Sequence, residues 1–357
     1  MIHDLIRPEL KDFVPYTTNQ VSYRVKLDAN ESPFDLPMSV RKKLADIIME
    51  GPELNLYPDT DSIELRKTLS AYWGVDMEGI VVGTGSDQLI QVLVNTFVGK
   101  GDKVVYPVPS FGMYKIDTVI GGGSTVEVAL KEDNGFEYDI DEFISKAKDE
   151  KAKMVILCTP NNPTGNLLSL RNIEKICSMC PNTVIVVDEA YAEFAEESAV
   201  ELLPKFENLI ILRTLSKAYG LAGIRCGYSL SGKAMADEIN KVKPPFNISS
   251  LSQLVAKLVF EEREEIDRRI KYLTEQRTYL AEELKKIEGA TIFPSGANYI
   301  LVKLPDAQGV AKELERRGIL VRSYGDPVLS KYIRVTVGSK EQNDILLEEL
   351  ASILASA

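Results

Sequence analysis

The chain has 357 residues, of which 45% are hydrophobic and 27% charged, so it is long enough for about two domains with cores of their own. Its 42 Lys and Arg residues against 53 Asp and Glu leave a formal net charge of −11, which argues against general nucleic-acid binding and a polybasic membrane anchor. The single histidine, His3, nearly excludes a Ser-His-Asp or Cys-His relay and a histidine-rich metal site.

Cysteine usage and the first residues bear on location. Four scattered cysteines are too few for a disulfide framework and fit a reducing compartment. Asp4, Arg7 and Glu9 stand where a signal peptide needs an apolar core, and no run reaches about 18 apolar residues. We therefore predict a cytoplasmic protein without a membrane partner. Cys177 and Cys180 have the spacing of half a zinc site, but one buried helical turn explains them better, and we predict no metal site.

The first two-thirds of the chain alternates between short apolar runs and helical or loop stretches. Predicted strands lie at 79–83, 103–107, 124–130, 153–159, 183–190, 209–214 and 224–230, with helices at 86–98 and 167–180. Runs that are apolar on both faces suit the buried strands of a mostly parallel sheet. We expect an α/β layered domain whose ligand binds beyond the carboxyl ends of the strands.

The last third predicts a smaller α+β domain. A long helical stripe at 261–289 precedes strands at 298–304, 319–323 and 332–338, with helices at 309–318 and 342–354. We predict an N-terminal arm at 1–40, a large domain at 41–245 and a small C-terminal domain at 246–357.

A possible phosphate site follows the first of these strands. Gly83-Thr84-Gly85-Ser86-Asp87 lies between a predicted strand and a predicted helix, and glycines together with helix amides favour a phosphate. The third glycine of a dinucleotide fingerprint is replaced by Gln88, and the Gly-Lys ending of a P-loop is missing. Ser86 as a plain helix cap is the alternative interpretation.

Three further motifs stand at the carboxyl ends of later predicted strands. TPNNPTG (159–165) forms a rigid turn that presents an amide at a strand end, and DEAY (188–191) places a carboxylate there that needs a cationic partner. RTLSK (213–217) ends on Lys217, and Arg225 follows eight residues later. This lysine is either surface decoration or a carbonyl-trapping amine.

Taken together, these motifs resemble the fold-type I pyridoxal-phosphate aminotransferases through almost the whole chain. The strongest marks are TPNNPTG, DEAYAEF and RTLSKAYGLAGIRCGY, while LDANESPF (27–34) and LNLYPD (54–59) resemble the histidinol-phosphate aminotransferase branch. The resemblance implies pyridoxal 5'-phosphate as cofactor. It also implies a large domain with a mostly parallel central sheet flanked by helices, and a smaller α+β domain.

The resemblance also implies roles for the motif residues. Lys217 becomes the lysine that forms a Schiff base with the cofactor, and Asp188 faces the pyridine nitrogen, which keeps the ring an electron sink. Asn162 and Tyr191 would hydrogen-bond the ring's 3-hydroxyl oxygen. The cofactor phosphate would be held by Ser86, Asp87 through its backbone amide, Thr214, Ser216 and Arg225.

Further roles concern the ring face, the partner subunit and the substrate. Phe111 would stack on the ring, and Tyr57 would reach the phosphate in the neighbouring subunit of a homodimer. The N-terminal arm is expected to pack with the small domain and with the partner subunit. Arg334 matches the substrate-anion arginine and Arg322 a second arginine that favours a phosphate-bearing substrate. Tyr16 and Asn30 are expected in the substrate pocket.

These roles predict a ping-pong transamination of L-histidinol phosphate with 2-oxoglutarate, giving imidazole-acetol phosphate and L-glutamate in histidine biosynthesis. An aromatic amino-acid aminotransferase is the first alternative, and it would leave Arg322 idle. A phosphothreonine-type decarboxylase and a cofactor-binding regulator without turnover are the others. The regulator is disfavoured because no DNA-reading module is visible.

Overall fold

The chain forms two β-sheets connected and covered by helices, in a computed structural model that describes residues 4–11, 13 and 21–356. The strands are β1 (Val25–Leu27), β2 (Ile80–Gly83), β3 (Lys103–Val108), β4 (Ser124–Ala129), β5 (Met154–Cys158), β6 (Val184–Asp188), β7 (Leu209–Thr214), β8 (Gly227–Ser231), β9 (Thr291–Ile292), β10 (Tyr299–Lys303), β11 (Ile319–Ser323) and β12 (Tyr332–Thr336). The α-helices are α1 (Met38–Glu50), α2 (Ile63–Trp73), α3 (Gly85–Phe97), α4 (Met113–Ile120), α5 (Ile140–Asp149), α6 (Leu170–Met179), α7 (Lys233–Val242), α8 (Ser250–Glu261), α9 (Arg263–Leu284), α10 (Ala307–Arg316) and α11 (Lys340–Ala355).

The larger sheet has seven strands in the order β2-β8-β7-β6-β5-β3-β4. Strands β3 to β7 pair in parallel with one another, and β8 runs antiparallel to both of its neighbours. Successive residues of β6 enter different apolar clusters, with Ile185 and Val187 in one and Val186 in the other. The central strands of the sheet are therefore buried on both faces, and the predicted mostly parallel α/β fold is confirmed.

Two predicted elements differ in detail from the structure. The run at 124–130 forms the edge strand β4, and Ser124, Glu127 and Ala129 are exposed, so the expectation of a strand buried on both faces is wrong there. The reason is that β4 pairs on one side only, leaving its other edge and part of its faces to solvent. The predicted helix at 261–289 ends at Leu284, although Ile287 still packs against the core.

The smaller sheet has the order β1-β11-β12-β10-β9 and draws its first strand from the N-terminal region. Strand β1 pairs in parallel with β11, and β12 lies antiparallel between β11 and β10. This pairing places residues 28–31, which follow β1, near the end of β12. The division of the chain at residues 40 and 245 stays a prediction. In the part of the chain that is described, no helix has the length and apolarity needed to cross a membrane.

Candidate active site

A cavity of about 340 Å³ lies beyond the carboxyl ends of the parallel strands. Most of the residues predicted to carry function line it, namely Asn30, Ser86, Asp87, Phe111, Asn162, Asp188, Tyr191, Thr214, Ser216, Lys217, Arg225 and Arg334. They end or follow β1, β2, β3, β5, β6 and β7, precede β8 or lie within β12, so both sheets contribute to one site. The grouping agrees with the rule that ligands of open α/β sheets bind at the carboxyl edge.

Lys217 is the amine of the site. Its Nζ donates a hydrogen bond to the carbonyl oxygen of Ala29 at 2.8 Å and lies 5.9 Å from the centre of the Tyr191 ring. Burial and, to a smaller extent, the positive charge of Arg334 together lower the pKa of Lys217 from 10.5 to about 8. A larger fraction of this amine is therefore neutral and nucleophilic near neutral pH than for an exposed lysine.

Asp188 is the buried carboxylate of the site, with 3% of the residue exposed. Its Oδ2 accepts a hydrogen bond from the Tyr114 hydroxyl at 2.7 Å, and its Oδ1 accepts one from the backbone N–H of Ala190 at 3.1 Å. Burial nevertheless raises the pKa of Asp188 to about 6. A cationic group in the cavity would stabilise the charged form of the Asp188 carboxylate. The site therefore favours a ligand that places a positive charge beside this residue.

Arg334 connects the two sheets across the cavity. Its Nη1 donates to Oδ1 of Asn162 at 2.6 Å and its Nη2 donates to the carbonyl oxygen of Asp28 at 2.6 Å. On the same side, the amide of Asn30 donates to the hydroxyl oxygen of Tyr191 at 3.0 Å. The predicted substrate and cofactor residues are thus hydrogen-bonded to one another, and a ligand would exchange places with these internal partners.

The start of α3 forms a tight cradle with β8. Gly85 has φ +83°, and a Cβ on Gly227 would lie 2.5 Å from the backbone nitrogen of Ser86, so only glycine fits at this close approach. The cap of α3 is Thr84, without a side-chain hydrogen bond, so the alternative of Ser86 as the helix cap is wrong. The helix therefore begins at Gly85, two residues earlier than a cap at Ser86 would place it.

The side chains around this cradle are polar and paired. Arg225 donates through Nη2 to both carboxylate oxygens of Asp87, at 2.9 and 3.0 Å. Asp87 thus uses its charge here, whereas the sequence suggested only its backbone amide. The Thr214 hydroxyl donates to the Ser216 hydroxyl oxygen at 3.0 Å. Backbone amides at a helix start, hydroxyl groups and a guanidinium group are donors that suit a phosphate.

Two of the predicted residues, Tyr57 and Arg322, do not line the cavity, and a third cannot be placed. Tyr57 is 81% exposed and stacks on Phe246 with ring centres 4.5 Å apart, so within one chain it belongs to the surface. Arg322 lies directly opposite Arg334 in the β11–β12 pairing, and its guanidinium carbon is 5.9 Å from the centre of the Tyr324 ring. Tyr16 lies outside the described residues.

Tyr114 and Cys158 are among the residues of the cavity wall that sequence reasoning missed, together with Ala29, Glu31, Ala190 and Ala222. Tyr114 is fully buried at the start of α4, and Cys158 ends β5 beside Asp188, where burial raises the pKa of its thiol to about 12. The available signal was weak: Tyr114 follows Phe111 by three residues, which puts both on one side of a helical turn.

The cysteine pair at 177 and 180 lies away from this cavity. Cys177 is buried within α6 and Cys180 is the residue that ends the helix. Across the described ranges, no group of three or more His, Cys, Asp or Glu side chains is arranged to hold a metal ion.

Comparisons with known proteins give consistent results. The model of the family "Aminotransferase class I and II" matches residues 24–350. A histidinol-phosphate aminotransferase of Ruminiclostridium cellulolyticum is 50% identical over 99% of both chains, and one of Thermoanaerobacter sp. is 43% identical over 99% of this chain and 100% of the relative. The crystal structure of histidinol-phosphate aminotransferase from Sinorhizobium meliloti in complex with pyridoxal-5'-phosphate has the same fold, with a TM-score of 0.89, 24% identity and 98% coverage of each chain.

Proposed function

Because the chain belongs to the class I and II aminotransferase family, among the histidinol-phosphate aminotransferases, we propose that it transfers the amino group of L-histidinol phosphate to 2-oxoglutarate. The products are imidazole-acetol phosphate and L-glutamate, and the step belongs to histidine biosynthesis. The observation that carries the proposal is that a partly buried lysine, a buried carboxylate and a buried arginine meet in one cavity of a chain that is 50% identical to a histidinol-phosphate aminotransferase. The family predicted from the motifs is confirmed.

The residues of the cavity fit pyridoxal phosphate. Asp188 is a buried acceptor whose raised pKa calls for a cationic neighbour such as a protonated ring nitrogen. Because Gly85 and Gly227 have no side chains, the backbone at the start of α3 can lie close to β8. The backbone N–H groups beside Ser86 are the donors that suit a phosphate. Lys217 supplies a buried amine with a lowered pKa for covalent attachment of an aldehyde.

Each residue of the site has a separate proposed role in the reaction. When bound, pyridoxal phosphate supplies an electron-accepting ring that stabilises the carbanion left after a proton leaves the substrate carbon. The Asp188 carboxylate would hold a proton on the ring nitrogen, and Lys217 Nζ would move the substrate proton as a general base and then acid. Asn162 and Tyr191 would donate to the ring's phenolic oxygen, and Phe111 would cover one face.

The remaining hydrogen-bond donors are proposed to bind the cofactor phosphate and the substrate phosphate. Ser86, Thr214, Ser216 and Arg225, with the amide of Asp87, are proposed to bind the cofactor phosphate. Arg334 is proposed to bind the anionic group of the substrate, because this largely buried residue lines the cavity and its planar fork matches phosphate or carboxylate oxygens. Arg322, opposite Arg334 in the sheet, would add a second positive charge on that side, with Asn30 and Tyr16 completing the substrate pocket.

The proposal is tested by a half-reaction. Purified enzyme loaded with pyridoxal phosphate is mixed separately with histidinol phosphate, phenylalanine and histidine, and conversion to the aminated cofactor is followed by absorbance. We expect rapid conversion with histidinol phosphate. Preferential conversion by phenylalanine would instead make the chain an aromatic amino-acid aminotransferase.

Two variants connect this assay to the site. Lys217→Ala should abolish covalent labelling of the protein on borohydride reduction. Arg334→Gln should lower kcat/KM for histidinol phosphate about a hundredfold, since a charged hydrogen bond to the substrate anion is lost. Arg316→Gln is the matched control, because that arginine's side chain is 73% exposed on α10, and its kcat/KM should be unchanged.

We also propose that the enzyme acts as a homodimer in the cytoplasm. Large apolar side chains around Tyr57 are exposed, including Met49, Leu54, Leu56 and Phe246, which supports a contact with a second copy there. All four cysteines are free and buried, which supports a reducing compartment. Sedimentation of the purified protein should give twice the 39.7 kDa chain mass, and Tyr57→Ala should weaken cofactor retention if this tyrosine reaches the partner's phosphate site.

A further inference from the structure

A tyrosine that no motif singled out touches two parts of the site. Tyr114 is fully buried at the start of α4, where it lines the cavity. Its hydroxyl donates to Oδ2 of Asp188 at 2.7 Å. Its ring packs edge-on against Phe111, with ring centres 5.7 Å apart and an interplanar angle of 85°. One side chain thus contacts both the carboxylate proposed for the ring nitrogen and the aromatic proposed for the ring face.

The Tyr114 hydroxyl has two polar neighbours, the Asp188 carboxylate and the Cys158 thiol, and sulfur is much the weaker acceptor. The phenol is fully enclosed, and both burial and the neighbouring negative charge of Asp188 raise its pKa well above 10, so it remains a proton donor at every physiological pH. Rotation of the Asp188 oxygen away from it would exchange a hydrogen bond to a carboxylate for a weak one to sulfur, which costs free energy. The hydrogen bond therefore fixes the plane of the carboxylate.

We propose that Tyr114 is the positioning residue that orients the Asp188 carboxylate toward the cofactor's ring nitrogen and, through its ring, places Phe111 against the cofactor's face. The inference rests on the cofactor of the proposed function but not on its substrate. It assigns a role to a side chain that need not touch the reacting atoms. A purely structural tyrosine would affect all ligands of the cavity alike, whereas a residue that acts through Asp188 affects only ligands with a ring nitrogen.

That difference can be measured with two non-covalent probes. Pyridoxine 5'-phosphate keeps the ring nitrogen but lacks the aldehyde, and its 1-deaza counterpart has carbon in place of the nitrogen. Dissociation constants of both probes are determined by calorimetry for the cofactor-free wild-type and Tyr114→Phe proteins. We expect Tyr114→Phe to weaken pyridoxine 5'-phosphate binding about tenfold or more, as for loss of a hydrogen bond to a charged group, and to change the deaza probe less than about twofold.

Tyr106→Phe is the matched control. Tyr106 is 4% exposed in the same aromatic cluster, with its ring 6.3 Å from that of Tyr114, but its hydroxyl donates to Glu127 at 2.9 Å. This variant loses a buried hydroxyl without touching Asp188, so both probes should bind as they do to the wild type. In an Asp188→Asn background, Tyr114→Phe should add little to the loss already present.

The outcomes separate the inference from the proposed function. Equal weakening of both probes by Tyr114→Phe, or no weakening of either, overturns the positioning role. Failure of the wild-type protein to bind pyridoxine 5'-phosphate at all overturns the proposed cofactor and the inference with it. Should Tyr114→Phe not fold, 3-fluorotyrosine at position 114 replaces it: its fluorine resonance should shift on binding pyridoxine 5'-phosphate but not the deaza probe, and identical shifts overturn the role.

Discussion

The lowered pKa of Lys217 predicts how fast the cofactor-free protein attaches pyridoxal phosphate as pH is varied. Only the neutral amine attacks an aldehyde. With a pKa of about 8 in place of 10.5, the neutral fraction at pH 7 rises from roughly one in three thousand to about one in eleven, a gain of about 300-fold. The cause lies in the structure, because the amine is surrounded by protein and shares the cavity with the charge of Arg334.

The assay is stopped-flow absorbance of cofactor-free protein mixed with pyridoxal phosphate between pH 6 and pH 10. The attachment rate should rise with pH and level off above a midpoint near 8. Because the cofactor itself titrates, the same series is run with pyridoxine 5'-phosphate, and the attachment rates are corrected for changes in its binding. The variant Arg334→Met should move the midpoint upward, since it removes a positive charge that disfavours protonation of Lys217.

A midpoint at or above 10 in the unmodified protein would refute the reasoning, because Lys217 would then behave as an exposed lysine. A midpoint near 8 that Arg334→Met leaves unchanged would show that burial alone lowers the pKa. Lys217→Arg provides the baseline, since its guanidinium group cannot form the covalent bond.

Two further predictions concern stability. Arg213 is 2% exposed and lies 2.6 Å from the Glu189 carboxylate, so Arg213→Met, which leaves buried negative charge without its partner, should cost about 3–5 kcal/mol in urea unfolding of the cofactor-free protein. An unchanged urea midpoint would contradict the importance of that ion pair. Gly227→Ala should cost about 1–3 kcal/mol and weaken inorganic phosphate binding, because the added Cβ would meet the backbone of Ser86 at 2.5 Å. Gly325→Ala, with open space around the new methyl group and no helix cap to lose, is the control and should match the wild type in both measurements.

Much of the fold followed from local pattern in the sequence. The alternation of apolar runs with helices predicted the central sheet, and β7 and β11 begin and end at the predicted residues. The antiparallel direction of β8 and the pairing of β1 with β11 had no local signature, since both depend on contacts between distant parts of the chain. The exposed faces of β4 were missed for the same reason: whether a strand lies at a sheet edge is decided by its neighbours.

The site residues could be predicted where a motif stands at the carboxyl end of a parallel strand. Asn162, Asp188 and Lys217 lie at or after the ends of β5, β6 and β7, and the parallel pairing of adjacent strands brings these ends together. Tyr114 was not predictable in this way, because its contact with Asp188 depends on the angle at which α4 leaves β3. The position of Tyr57 on the exposed surface likewise leaves its proposed role to a second chain, which one chain's structure cannot contain.

Two hydrogen bonds in the cavity connect the backbone of residues 28–31 to side chains from both sheets. Residues 28–31 are held by Lys217 at the carbonyl of Ala29 and by Arg334 at the carbonyl of Asp28. Both donors are the groups proposed to bind the ligands, so a ligand that binds them replaces their hydrogen bonds to residues 28 and 29. We therefore expect the backbone at residues 28–31 to be the first part of the chain to differ between the empty and the ligand-bound protein.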